Sequence, residues 1–286
     1  MLIGVSTHIH VYKPLGRNLL SGIKKAGFET VELYANHPHW PGYADAASRR
    51  EIAETCLDLD LPVNSVHSPF FRSLDEARAG RWLSVTAKDN GLRSESVERI
   101  VESAAVAEFV PVQSVVVHLG APGETEDNGT FDRLFYSVEE ITAATRDLGV
   151  AVALENITNE ISRGDRIAAF LQESGLGESG RVGCCYDCGH AAIYGVTVEE
   201  FEQMAPWLLT THIHDTTGGR DNHLMPFDGE IDWEALAGAF ASGAYDGALI
   251  IESKDDSGSP RTLKQSASAA ARLRGKILEA RQGGEG

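Results

Sequence analysis

Eight short runs rich in β-branched and aliphatic residues recur along the chain, and helical spacing of apolar positions fills the intervals between them. The runs are Leu2–Ser6, Thr30–Tyr34, Val63–His67, Ser114–His118, Val150–Leu154, Val182–Asp187, Leu208–His212 and Ala248–Ile251. Most are near-continuously apolar, the pattern of parallel strands covered on both faces. Helical patterns occupy Glu51–Asp58, Ser94–Phe109, Phe131–Leu148, Val198–Met204 and Trp233–Phe240, and Arg261–Ala280 closes the eighth unit. No linker, repeat or low-complexity insert divides the 286 residues. The prediction is one α/β domain over residues 1–286, a (β/α)8 TIM barrel with a parallel eight-stranded barrel. A doubly wound open sheet has the same periodicity, but it usually carries a glycine-rich phosphate turn after its first strand, and Ser6–His10 is not one. Residues 281–286 are expected to be a frayed tail.

A chain of this length buries enough apolar surface to fold without disulfides. Its four cysteines fit that reading, because Cys184, Cys185 and Cys188 crowd into one apolar run while Cys56 stands apart. A disulfide framework spreads its cysteines out, so a reducing interior is expected. Cys185 and Cys188 have the spacing of a metal half-site, but no second pair completes one, and they are read as structural. The start of the chain lacks a basic segment before a long apolar stretch, and no run approaches the length of a membrane span. A cytoplasmic address and no membrane partner are therefore expected. The formal charge is −17, from 42 acidic and 25 basic residues, a balance that repels nucleic acid unless a local basic patch compensates.

Barrel enzymes carry their chemistry at the carboxyl ends of the strands, where the βα loops form a concave face. Here those ends are dense in potential ligands. Strand three ends in His67, strand four in His118, and strand five runs into Glu155. Strand six ends in Asp187 with His190 just beyond, strand seven in His212 followed by His214, and strand eight runs into Glu252; Asp221 and His223 follow strand seven. A single histidine at a strand end is ordinarily a hydrogen-bonded structural residue, and a single Asp or Glu there ordinarily caps the next helix. Six consecutive strands are different, because a barrel gathers their ends around one axis. Carboxylates packed there repel one another and resist ionisation unless a cation neutralises them. Glu155, Asp187, His212 and Glu252 make an oxygen-rich set with one nitrogen, suited to Mn²⁺, Mg²⁺, Co²⁺ or Zn²⁺. His67 with His118, and His190 with Asp221 and His223, add imidazole-rich groups that lean toward zinc. His8 and His10 after strand one, and His214 and Arg220 after strand seven, are read as facing the substrate, and His37 and His39 as lining the mouth.

At these residues the chain resembles the xylose isomerase-like barrel superfamily, which includes sugar and sugar phosphate isomerases and epimerases together with the AP endonuclease family 2 (endonuclease IV-like) enzymes. The resemblance runs from strand one to strand eight. It rests on Leu154–Asn156, Tyr186–His190, His212–Leu224, Gly229–Trp233 and Ile250–Ser253. The isomerase branch implies a metal-dependent isomerase or epimerase acting on a small-molecule sugar or sugar phosphate, with proton transfer through an enediolate. In that branch Glu155, Asp187, His212 and Glu252 would hold one divalent ion, Glu155 and Glu252 would be the acid/base pair, and His190 would hold a substrate hydroxyl. Homo-oligomers are common among such proteins.

The endonuclease IV branch implies the alternative, a zinc-dependent hydrolase of abasic DNA with up to three Zn ions. Its nine ligands match His67, His118, Glu155, Asp187, His190, His212, Asp221, His223 and Glu252. Three departures favour the isomerase. Ser68–Ser73 lacks that branch's usual continuation, the segment from His212 to Asp221 is short, and no loop offers the basic and aromatic cluster that grips a duplex.

Overall fold

The computed structural model describes residues 1–243, 245–255 and 260–283. The strands are β1 (Leu2–Ser6), β2 (Thr30–Tyr34), β3 (Val63–His67), β4 (Val112–His118), β5 (Ala151–Glu155), β6 (Val182–Asp187), β7 (Leu208–Ile213), β8 (Asp215–Thr217), β9 (Arg220–Leu224) and β10 (Ala248–Ile251). The helices are α1 (Arg17–Ala26), α2 (Ala46–Asp58), α3 (Leu74–Arg78), α4 (Asn90–Ala104), α5 (Thr130–Thr145), α6 (Gly164–Glu173), α7 (Cys188–Ile193), α8 (Thr197–Met204), α9 (Trp233–Ser242) and α10 (Pro260–Gly283). Strands β1 to β7 and β10 close into a parallel barrel in the order β1-β10-β7-β6-β5-β4-β3-β2, and β8 with β9 forms a separate antiparallel hairpin. This is the expected (β/α)8 barrel. The last helix runs to Gly283, past the boundary expected for a frayed tail, and residues 284–286 lie outside the described ones. Among the described residues no helix is long and apolar enough to cross a membrane.

Alternation along the strands divides the molecule into two layers. Outward-facing residues such as Val31, Val115, Leu154, Tyr186 and Leu249 join the helices in one large apolar core. The inward face is mostly polar. Its apolar content includes a small cluster of Val116, Ala153 and Cys185 with Leu209 against it. Below the strand ends, Asn64 donates to Thr210 Oγ1 (2.9 Å) and Ser65 donates to Glu32 Oε2 (2.8 Å), so buried polar groups pair across the barrel. Cys185 and Cys188 belong to different layers, Cys185 inside the barrel and Cys188 in the outer core, in keeping with a structural role for both. The four cysteines are free and buried.

Aspartates set several helix starts at the site-bearing end. Asp89 caps α4 through Leu92 N, Asp232 caps α9 through Glu234 N and Ala235 N, and Asp187 caps α7 through His190 N. The last of these matters most, since Asp187 is also the end of a barrel strand. Parallel register then levels the strand ends, with His118 beside Glu155 and Asp187 beside His212.

Candidate metal centre and cavity

His212 lies fully buried at the centre of the strand ends. Its Nδ1 is 2.9 Å from Glu155 Oε1, 3.4 Å from Glu252 Oε2 and 3.8 Å from Asp187 Oδ2. Its Nε2 lies 3.0 Å from Glu32 Oε2 on the opposite side. Glu32 comes from the middle of β2, and sequence reasoning missed it. The signal was a lone carboxylate inside an otherwise apolar strand, a residue that is almost never fully buried without a partner.

The ligand atoms of Glu155, Asp187, His212 and Glu252 fall within 4.8 Å of one another, as do those of His67, Glu155 and His212, and those of His190, His214, Asp221 and His223. Glu155 links the first two groups. Its Oε2 has no hydrogen-bond partner and stands 3.3 Å from His118 Nε2 and 3.5 Å from His67 Nε2.

Three histidines are held in a single tautomer by backbone carbonyls. The Nδ1–H of His67 donates to Ser68 O (3.0 Å), that of His190 to Asn156 O (2.9 Å) and that of His223 to Glu252 O (2.8 Å). Each Nε2 is thereby turned toward carboxylates: His67 toward Glu155, and His190 and His223 toward Asp221 at 3.4 and 3.2 Å. Imidazole ligands are usually oriented in this way, with the distal N–H on a carbonyl or carboxylate. Together with the orphaned Glu155 oxygen, this donor set fits a divalent cation.

The two glutamates are shifted in opposite directions. Burial alone would raise both. At Glu155 the charges of His212 and His118 overcome burial and hold the carboxyl well below its usual range. At Glu252 burial wins over the pull of His212 and His223, the charges of Glu155 and Glu32 add to the rise, and the carboxyl is pushed up to about 8.

A cavity of about 150 Å³ opens above the cluster. Glu155, His190, Asp221, His223 and Glu252 line it, together with His8 and, at its rim, the aromatic side chains of Tyr34, Phe70 and Trp82. Phe70 stacks on His118 at 4.2 Å. His223 holds a positive φ of 44°, an uncommon conformation for a side-chain-bearing residue and one often found at functional sites. The β8–β9 hairpin that carries it is anchored by Asp215, whose carboxylate accepts from Thr216 N, Phe227 N, Ile231 N and Trp233 Nε1.

Three residues expected to face substrate lie elsewhere. His10 is buried in the short 3-10 turn after β1 and does not line the cavity. Arg220 is exposed at the start of β9. His214 sits behind Asp187, with its Nε2 3.0 Å from Asp187 Oδ1 and its ring stacked on His223 at 4.1 Å. Gly189 makes room for that ring, since a Cβ there would come within 1.9 Å of His214 Cε1. His214 braces a cluster member. Of the other pair, His37 is exposed and His39 is buried away from the cavity.

The family model for the xylose isomerase-like TIM barrel matches residues 20–274. An uncharacterized protein of Sinorhizobium fredii is 29% identical over 268 residues, spanning 87% of this chain and 85% of its own. An uncharacterized protein of Methanocaldococcus jannaschii is 28% identical over 266 residues, spanning 89% and 84%. Among solved structures, a D-tagatose 3-epimerase-like protein aligns with a TM-score of 0.78 at 22% identity over 100% of both chains. An L-ribulose 3-epimerase aligns at 0.74 and 19% identity, over 99% of this chain and 97% of its own. At such identities these structures share the fold. With a closed eight-stranded barrel and a family match over most of its length, the chain belongs to the xylose isomerase-like TIM barrel family.

Proposed function

We propose that this protein is a divalent-metal-dependent epimerase or isomerase of a sugar or sugar phosphate. The observation that carries the reading is the Glu155–Glu252 pair. Two buried carboxyls face one small cavity, with Glu155 Oε2 left without a hydrogen-bond partner beside a donor set that fits a divalent cation. That one aligned structure is an L-ribulose 3-epimerase and another a D-tagatose 3-epimerase-like protein supports the same class.

Glu155, Asp187, His212 and Glu252 would hold the ion. Bound there, it supplies Lewis-acid polarisation of a carbonyl and its neighbouring hydroxyl. The unpartnered Glu155 Oε2 is the proton acceptor for the carbon beside the carbonyl, leading to an enediolate. Glu252 carries the proton that returns to the other face. His190, tied through Nδ1 to Asn156 O, presents its Nε2 toward a substrate hydroxyl. The aromatic rim of Tyr34, Phe70 and Trp82 restricts water access to the cavity.

Incubation with a panel of ketoses and their phosphates in D₂O, in the presence of Mn²⁺, Mg²⁺, Co²⁺ or Zn²⁺, tests this reading. Deuterium entering at the carbon next to the carbonyl is the expected result, and absence of exchange with every sugar and metal defeats it.

The His190–Asp221–His223 group favours one second reading, a trinuclear zinc phosphodiesterase of the endonuclease IV type. The acidic surface and the cavity's size weigh against a nucleic acid substrate. Elemental analysis separates the two, at about three zinc ions per chain against about one ion. Asp221→Ala should leave sugar exchange within roughly tenfold of wild type but cost a three-metal hydrolase far more; a complete loss of sugar exchange would count against the one-ion reading.

A further inference from the structure

A second cavity adjoins the first. A groove of about 580 Å³ is lined mostly by the segment between β3 and α4, and Trp82 forms part of the wall of both. A second junction is the turn after β4, where Pro122 lines the cavity and Ala121 lines the groove. The inner cavity, at about 150 Å³, is much the smaller of the two.

The groove's chemistry identifies what could extend into it. Trp82 is half-buried and stacks on Phe70 at 6.1 Å, which holds an apolar indole at the junction. Glu124 is braced by three donors. Its Oε1 accepts from Thr86 Oγ1 (2.6 Å), and its Oε2 accepts from Ser84 Oγ and Ala121 N (2.9 Å each). A carboxylate has about four acceptor positions, so this fixed group keeps one for a ligand hydroxyl. The groove's cations already face carboxylates. Arg72 is bound to Glu95 and Glu76, Arg81 lies 3.5 Å from Glu76, and Lys88 lies 2.9 Å from Asp127. A phosphate would have to displace those partners, whereas a neutral polyhydroxylated ring would not. Aromatic surface beside a rigid acceptor suits such a ring.

We infer that the groove is a subsite for a glycosyl unit, so that the substrate is a glycosylated sugar whose reacting residue fills the inner cavity. This rests on the epimerase reading above.

The test compares kcat/KM of the metal-loaded protein for a free ketose with that for the linkage isomers of glucosyl-fructose. At least one isomer is expected to exceed the free ketose by about tenfold, the worth of one aromatic contact, mainly through KM. Leu92→Trp, which fills the groove from α4, and Glu124→Ala are each expected to bring that ratio back toward one. The ratio serves as its own control, because a merely structural defect lowers both rates together. Equal or better turnover of the free ketose, preference for a ketose phosphate, or a ratio unmoved by both variants would overturn the inference while leaving the epimerase reading in place. Where no sugar is turned over, that reading is what has failed, and calorimetric titration with the same disaccharides decides the groove alone. Binding weakened by Leu92→Trp then upholds the subsite, and no binding of any isomer overturns it.

Discussion

Leu154 and Glu155 are neighbours in β5 that serve opposite layers. Leu154 points outward into the apolar core shared with the helices, and Glu155 points inward to His212, His67 and His118. The same pairing recurs as Val66 with His67, Val117 with His118, Tyr186 with Asp187 and Ile251 with Glu252. In each case the residue before the strand end packs outside and the residue at the end faces the site. Stability is therefore concentrated outside the strands, where apolar burial dominates. The interior can hold four acidic side chains and several imidazoles because it is not required to supply that stability. A strand period of two is the physical device that keeps the two duties apart.

The sharpest break in this contrast is Glu155→Gln. It keeps shape and volume but removes the proposed proton acceptor and a candidate ligand. Proton exchange on the preferred sugar is expected to fall on the order of a thousandfold or more. The unfolding midpoint should fall as well, because His212 and His118 are left buried without the charge they face. Paired exchange assays and urea unfolding check both halves. An unchanged midpoint would mean that these interior pairs contribute nothing to stability.

Leu154→Ala reverses the pattern one residue away. A fully buried leucine in the outer core is lost, and the expected cost is about 2–5 kcal/mol of unfolding free energy. Activity per folded molecule should barely change. Urea titration with activity measured on the folded fraction reads this, and a selective loss of kcat would show that outer packing positions Glu155.

Histidines sharpen the same contrast through pH, because His39 belongs to the scaffold. Its Nδ1–H donates to Lys13 O, its Nε2 is buried with no partner, and burial lowers its pKa to about 4. In the unfolded chain it titrates near 6.5. The neutral ring is favoured in the fold, so its contribution is complete above pH 6.5 and is lost as pH falls toward 4. That loss amounts to about 3 kcal/mol. His39→Asn keeps a donor for the Lys13 carbonyl and removes the titration. Unfolding free energies at pH 7 and pH 4 should then differ less in the variant than in the parent; identical pH dependence in both would assign the effect to the cavity histidines.

Most of the barrel was legible because parallel strands buried on both sides must be apolar, and every expected barrel strand lies within two residues of its observed bounds. The gathering of the candidate ligands was legible because strand ends converge. Misplacements began where the regular period stops. His214 would share the face of His212 if β7 continued, but the strand ends at Ile213 and the chain turns His214 behind Asp187. His10 lies in the 3-10 turn after β1 and Arg220 at the tip of the β8–β9 hairpin, where the barrel's strand period no longer sets direction. Asn156 was visible, but its role was not. Its side chain brackets Asp187 by accepting from the backbone N (2.7 Å) and donating to the backbone O (2.9 Å), a contact between strands that no local pattern encodes.

Glu32 tests whether the interior is organised beyond the groups that line the cavity. It does not line the cavity, yet it accepts a hydrogen bond from Ser65 and faces His212 Nε2, the side away from Glu155, Asp187 and Glu252. With Nε2 facing Glu32, Nδ1 of His212 is turned toward the other three carboxylates. Glu32→Gln keeps an oxygen in reach but removes its charge, and it also offers an amide that can turn a donor toward His212. Partners of this kind typically change metal affinity by about 10- to 100-fold, so competition titration with a metal indicator should report a loss in that range. At saturating metal, kcat should recover most of its value, because neither Glu155 nor Glu252 has been altered. Glu32→Asp, which retains the charge but shortens the reach, should fall between the two. Unchanged affinity in Glu32→Gln would mean that His212 is oriented by the inward carboxylates alone, and that Glu32 is a buried charge held for the barrel's internal hydrogen bonding.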